Sequence, residues 1–226
     1  MVMKTKVQTQ NGFTLIELIV SVSIFVFMTA FLVAKYGTFN QSVLVTNAAY
    51  DVALTIRSAQ SYGLNVQEVE NSAFVCPAIN GNPAYTPSSF DQSYGAFFDT
   101  DENKNTTFTL FSIPLCLLPL NQVPNVDPST PGDENVTILS RTTLKKGIKI
   151  EKICTTDGGA SAPDCVGSGY ILFKRPNPGA IIKTFSSAGV LTTTSSHDYI
   201  SITIVSPDGT SKDISVRSTG QISIDN

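Results

Sequence analysis

An α+β fold is predicted for this chain: a long N-terminal α-helix, of membrane-spanning character in its first half and amphipathic in its second, packed on an antiparallel β-sheet head. Three observations carry that prediction. No charged residue occurs from Leu18 to Ala34, no Pro interrupts Phe13 to Leu64, and beyond residue 65 the apolar residues fall in short β-branched and aromatic runs divided by turn sequences. With 226 residues, of which 42% are hydrophobic and 15% charged, the chain is one ordinary domain plus an apolar element. Three segments follow: residues 1–12, a polar leader; residues 13–64, the helix; and residues 65–226, a β-rich head containing a Pro-rich loop at 114–133.

The leader MVMKTKVQTQNG carries Lys4 and Lys6 and no acid. Behind it, Phe13 to Ala34 is 22 residues long and interrupted only by Glu17, enough to cross a bilayer once as a helix. The basic flank places the N-terminus in the cytoplasm and the head outside, giving a single-pass topology at the inner (cytoplasmic) membrane with a periplasmic or extracellular head. The run is longer than the 7–15-residue apolar core of a secretory signal, and a carboxylate stands near its start. An acid inside a spanning segment costs roughly 2.5–3.5 kcal/mol on insertion scales and therefore calls for a partner. A cut after Gly12 supplies one, because it creates an α-amino group on Phe13, four residues from Glu17. In a bundle of parallel helices, the Phe13 amine of one copy neutralises Glu17 of another and sets their axial register. The alternative is a solitary Glu17 that reaches back to the interface.

The run Gly12-Phe13-Thr14-Leu15-Ile16-Glu17-Leu18, after a short Lys-containing leader and before an apolar helix, resembles the prepilin leader and methylation motif of type IV pilins and type II secretion pseudopilins. The resemblance covers about the first 50 residues. It implies that Gly12 precedes a cut made by a membrane prepilin peptidase, that Phe13 becomes the N-methylated first residue, and that Glu17 is the filament-assembly carboxylate. It also implies a pilin-like fold. The implied partners are other pilin or pseudopilin subunits in a homo- or hetero-filament, an inner-membrane assembly platform, and inner-membrane lipid before assembly. Many major pilins carry a kinking Pro in the apolar stretch, whereas the first Pro here is Pro77, which favours a pseudopilin or minor subunit.

Past Lys35, Tyr36, Phe39, Val43, Tyr50, Ala53 and Leu54 recur at three- and four-residue spacing and predict an apolar helix face, with Gly63 as a stop. A helix of about 50 residues is about 75 Å long. In the head, strands are predicted at 94–98, 107–112, 136–140, 148–154, 170–174, 181–185, 199–205, 214–216 and 221–224. Turns are predicted at 101–105, 176–179 and 207–209. These strands read as one antiparallel sheet against the second half of the helix. The segments Tyr94-Gly95-Ala96-Phe97-Phe98-Asp99, Phe173-Lys174-Arg175-Pro176 and Ser218-Thr219-Gly220-Gln221-Ile222 are similar to stretches of the H-type minor pseudopilins.

An even count of four Cys suits an exported head. Of three possible connectivities, Cys154 with Cys165 is favoured because the pair flanks a turn-rich insert, and Cys76 with Cys116 then follows. Residues 114–133 hold five of the twelve Pro and form an extended surface loop, read either as an insertion without a task or as a contact surface.

Chemistry-bearing constellations are sparse, and neither an enzyme activity nor a cofactor is expected. His197, in Ser195-Ser196-His197-Asp198, is a loop residue leading into a strand, since neighbours in an extended chain point to opposite faces. Asp99, Asp101, Asn103 and Asn105 alternate like ligands of a hard cation, yet Lys104 stands where a calcium loop needs Gly and Leu110 where it needs Glu, so a polar turn is the preferred reading. Removing Lys4 and Lys6 from the 15 basic residues leaves 13 against 18 acidic ones, which argues against nucleic acid as a partner. The sequence thus points to a filament subunit that works by assembly. Two alternatives keep the helix but change its use: a membrane-anchored exported binding or adhesin domain using it only as a tether, and an adhesive tip subunit that is processed and also binds through its head.

Overall fold

The computed structural model describes residues 12–65, 76, 84, 86, 88, 90–114, 136–156, 163–186, 192 and 197–225. Helix α1 (Leu15–Leu64) is 50 residues long, two residues shorter at its start than expected. The chain divides into two units, Met1–Asn40 and Gln41–Asn226.

In the first unit, the Leu15–Ala34 stretch of α1 is apolar enough to cross a membrane, and none of its side chains is buried. Its hydroxyls do not spoil that character. Ser21 donates to the Glu17 carbonyl at 2.7 Å, Ser23 to Ile19 at 2.7 Å and Thr29 to Phe25 at 2.9 Å, so each polar group is satisfied within the helix itself.

In the second unit, α1 buries Val45, Ala48, Ala49, Val52, Ala53, Ile56 and Ala59. This face differs from the expected one. Ala53 is buried as predicted, but Val43, Tyr50 and Leu54 remain 42%, 57% and 57% exposed. The buried stripe combines four alanines with Val45, Val52 and Ile56, and a reading weighted toward the largest side chains selects a neighbouring stripe. The side chains of Tyr36 and Phe39 lie outside the described residues.

Ten strands follow. They are β1 (Gln92–Asp99), β2 (Thr107–Pro114), β3 (Thr137–Thr143), β4 (Lys149–Thr156), β5 (Asp164–Val166), β6 (Ser168–Lys174), β7 (Asn177–Phe185), β8 (Tyr199–Val205), β9 (Ser211–Arg217) and β10 (Ile222–Asp225). They form two antiparallel sheets rather than the expected one, in the orders β3-β2-β1-β6-β7 and β10-β9-β8-β4-β5. Alternation explains the difference in composition between them. Strand β8 buries Ile200, Ile202 and Ile204 and leaves Ser201 and Thr203 outward, whereas β1 is buried on both faces. The inner faces of both sheets meet α1 in one core, which includes Phe98, Phe108, Ile171, Ile182, Ile202 and Ile214. The other face of the first sheet carries a second cluster of Phe97, Phe111, Ile113, Tyr170, Leu172 and Phe185. Burial pushes the Tyr170 phenol above its ordinary pKa, because its charged form would lose hydration.

Every predicted strand is present within a few residues, and one, β5, was not anticipated. Its three residues show no alternation; they pair with Ile153, Cys154 and Thr155 of β4, with Cys165 opposite Cys154. The predicted turn at 176–179 is also displaced, since Arg175 and Pro176 make the turn and Asn177–Gly179 already belong to β7. At the β8–β9 hairpin, Gly209 adopts φ +86°, and the Asp208 carboxylate accepts the Ser206 hydroxyl and the Thr210 N–H. Those donors hold Asp208 below its ordinary pKa, the Ser206 hydroxyl foremost.

Gly63 does not stop the helix. It lies within α1, where a Cβ would come 2.8 Å from the Phe173 Cβ and 2.9 Å from the Phe173 carbonyl oxygen. Gly63→Ala gains up to about 1 kcal/mol of helix propensity. Overpacking against a neighbouring backbone costs about 1–3 kcal/mol, so the variant is expected to melt at a lower temperature than the parent. A higher midpoint would show that α1 can shift away from β6.

Candidate functional site

The residues singled out at the N-terminus occupy one helical turn and the chain leading into it. Gly12, Phe13 and Thr14 are non-helical and exposed, and α1 begins at Leu15. Thr14 is the cap. Its carbonyl accepts the N–H groups of Glu17 and Leu18 at 3.1 and 3.2 Å, and its hydroxyl lies 3.4 Å from both the Glu17 nitrogen and Glu17 Oε2. This Thr-x-x-Glu pairing uses the carboxylate at the third helical position, where the positive end of the helix dipole favours an anion. The Thr-x-x-Glu spacing that makes this pair is present in the sequence itself.

Gly12 is informative through what it does not touch. A Cβ built there meets nothing within 4 Å. Among the described residues, nothing packs closely enough around this position to demand glycine. Phe13, next in sequence, is 87% exposed. Exposed, non-helical backbone of this kind is accessible to proteolysis. Residues 1–11 lie outside the described residues.

The other candidates separate. Cys154 and Cys165 are bonded, with Cα atoms 4.0 Å apart. Cys76 is buried and disulfide-bonded; its expected partner, Cys116, lies outside the described residues, as does the Pro-rich loop beyond Pro114. The 99–105 segment folds its oxygens onto its own turn. Asp99 Oδ1 accepts the Asp101 N–H at 2.8 Å, Asp101 Oδ1 accepts the Asn103 N–H at 2.9 Å, Lys104 Nζ sits 3.9 Å from Asp99 Oδ2, and Asn105 is buried. Among the described residues, no three His, Cys, Asp or Glu side chains converge to hold a metal ion. His197 precedes β8 and is buried rather than in an open loop, with Nε2 2.8 Å from the Thr184 hydroxyl and its N–H on the Ile182 carbonyl at 3.1 Å. It ties the strand entrance to β7.

Residues 8–33 match the prokaryotic N-terminal methylation motif, the signature of type IV pilins and pseudopilins. The motif implies processing by a prepilin peptidase and assembly with other pilin subunits, and the family that it marks is structural rather than catalytic. The α+β arrangement, an apolar N-terminal helix followed by antiparallel sheets, is pilin-like. An apolar helix directly behind such a motif fits a membrane-anchored, exported chain. No curated protein and no solved structure matches the chain.

Proposed function

We propose that this protein is a minor pilin or pseudopilin, a structural subunit of a type IV pilus or type II secretion-like filament. It enters the inner membrane with its N-terminus in the cytoplasm, is cut after Gly12 and methylated on Phe13, and is then drawn from lipid into a bundle of α1 helices. The observation that carries this reading is the methylation motif at 8–33 running directly into a helix whose Leu15–Ala34 side chains have no cover of their own. In lipid those side chains are satisfied by acyl chains; in a filament they are satisfied by one another. Glu17 gives the transfer its direction. Its charge is poorly solvated in the bilayer and is paired in the bundle with the Phe13 amine of another copy, which fixes axial register.

The mature N-terminus tests the reading. Intact mass and N-terminal peptide sequencing of the protein from membranes containing prepilin peptidase are expected to show N-methylated Phe13 as the first residue. A retained Met1 would make the helix a tether for an exported binding domain, and a start beyond Ala34 would make it a discarded signal.

A further inference from the structure

Each sheet of the described residues ends in two edge strands, and three of these four edges are closed by the fold itself. Along β7 the outward groups of alternate residues are taken. The Ala180 N–H donates to the Ser218 carbonyl at 2.8 Å, the Ile182 carbonyl accepts the His197 N–H at 3.1 Å, and the Thr184 carbonyl accepts the Thr192 N–H at 2.9 Å. Strands β5 and β10 are three and four residues long, too short to template another chain. The fourth edge is β3, seven residues of sequence Thr-Ile-Leu-Ser-Arg-Thr-Thr, with no Pro, Lys or acid to guard it. It pairs with β2 on one side, and every second residue turns its N–H and C=O to the other side, where no strand of the described residues lies. A bulge opposite the step from Leu110 to Phe111 bends β3 without giving its outward groups a partner.

A row of main-chain donors and acceptors at strand spacing selects the chemistry of its ligand, because only another extended polypeptide carries the matching row. Charge narrows the choice. The exposed Lys145 and Lys146 stand in the turn just beyond Thr143, and the exposed Lys149 and Lys152 follow on β4, with Glu151 as the acid among them. Four lysines within eight residues, on a chain of net charge −3, make this end of β3 a place that attracts carboxylates. At the other end Ile138 and Leu139 are 39% and 36% exposed, which suits apolar and β-branched side chains. A strand antiparallel to β3 starts beside Thr143, so its acids belong at its own N-terminal end.

We propose that β3 is a docking edge that takes an extended, N-terminally acidic segment of a different protein as a further antiparallel strand of the first sheet. The proposal rests on the head alone, and it holds whether the chain enters a filament or stays tethered in a membrane.

The probe is a synthetic peptide, Asp-Asp-Thr-Val-Thr-Val-Thr-Val, added to the full-length protein in detergent. Amide hydrogen exchange, read by mass spectrometry on fragments covering 137–143, is expected to slow about 10-fold or more at saturation, while β7 exchanges as before. A double variant, Lys145→Glu with Lys146→Glu, changes only exposed side chains; it is expected to melt as the parent does and to bind the peptide about 3- to 10-fold more weakly. The peptide Asp-Asp-Thr-Pro-Thr-Pro-Thr-Pro keeps the charge but cannot complete a ladder, since Pro lacks the N–H, and is expected to leave β3 unprotected. Equal binding of the two peptides would show that the lysines attract acid without strand addition and would overturn the proposal. Binding of the first peptide with exchange at 137–143 unchanged, or no binding at about 1 mM peptide, would overturn it as well.

Discussion

Glu17→Gln is expected to leave membrane insertion intact and to reduce recovery in the sheared filament fraction about 10- to 100-fold. Glutamine can occupy the third helical position opposite Thr14 as glutamate does, so the start of α1 is preserved and only the charge changes. Removing the charge acts on both sides of the transfer. It relieves the cost of an acid in lipid, up to about 2.5–3.5 kcal/mol at mid-membrane and less one turn from the end, so the lipid-held state becomes more favourable. On the proposed filament reading, it also deletes the partner of the Phe13 amine in the bundle. At 1.4 kcal/mol per tenfold change, even half of that cost moves the partition by an order of magnitude. Glu17→Asp, which keeps the charge on a shorter arm, is expected to fall between the two. Quantitative immunoblotting of sheared filaments against total membranes measures the effect, and parental incorporation of Glu17→Gln would remove the assembly role from this residue.

Phe98→Ala is expected to be the most damaging single truncation in the head, at about 3–5 kcal/mol. Phe98 is fully buried in β1, the central strand of the first sheet, and its ring stacks on Phe108 at 5.9 Å between centroids. Against a typical total of about 5–15 kcal/mol for a domain, that loss brings the head close to unfolding at growth temperature. Thermal unfolding of the full-length protein in detergent, followed by limited proteolysis, reads the change. Leu54→Ala supplies the contrast, because an exposed position away from the core changes stability by about 0.5 kcal/mol or less. The proposed cleavage after Gly12 is expected to be unaffected in Phe98→Ala, since the methylation motif belongs to the other unit of the chain. A Phe98→Ala head as stable as the parent would show that the cavity collapses without cost.

The N-terminal methylation motif was legible in the sequence. Gly12, Phe13 and Glu17 are read from local order, and so is the continuity of α1, because a helix of this kind needs only an uninterrupted apolar run and no Pro. Thr14 was equally readable and was missed. In the head, strand positions followed from β-branched runs, yet the number of sheets did not. Strands β4 and β5 lie in sequence between strands of the first sheet but pair with β8 and with each other in the second. Which strand a strand pairs with is decided by contacts far apart in sequence, and a single alternating pattern satisfies many partners.

The sequence by itself determined where the methylation motif lies, which segment suits a membrane and which residues extend as strands, since each depends on neighbours within a turn or a run. The tertiary structure alone decided which face of α1 is core. Tyr50 and Leu54 look like core residues in the sequence, but the two sheets take the stripe of Val45, Ala48, Ala49, Val52, Ala53, Ile56 and Ala59, and Tyr50 and Leu54 are left outside it.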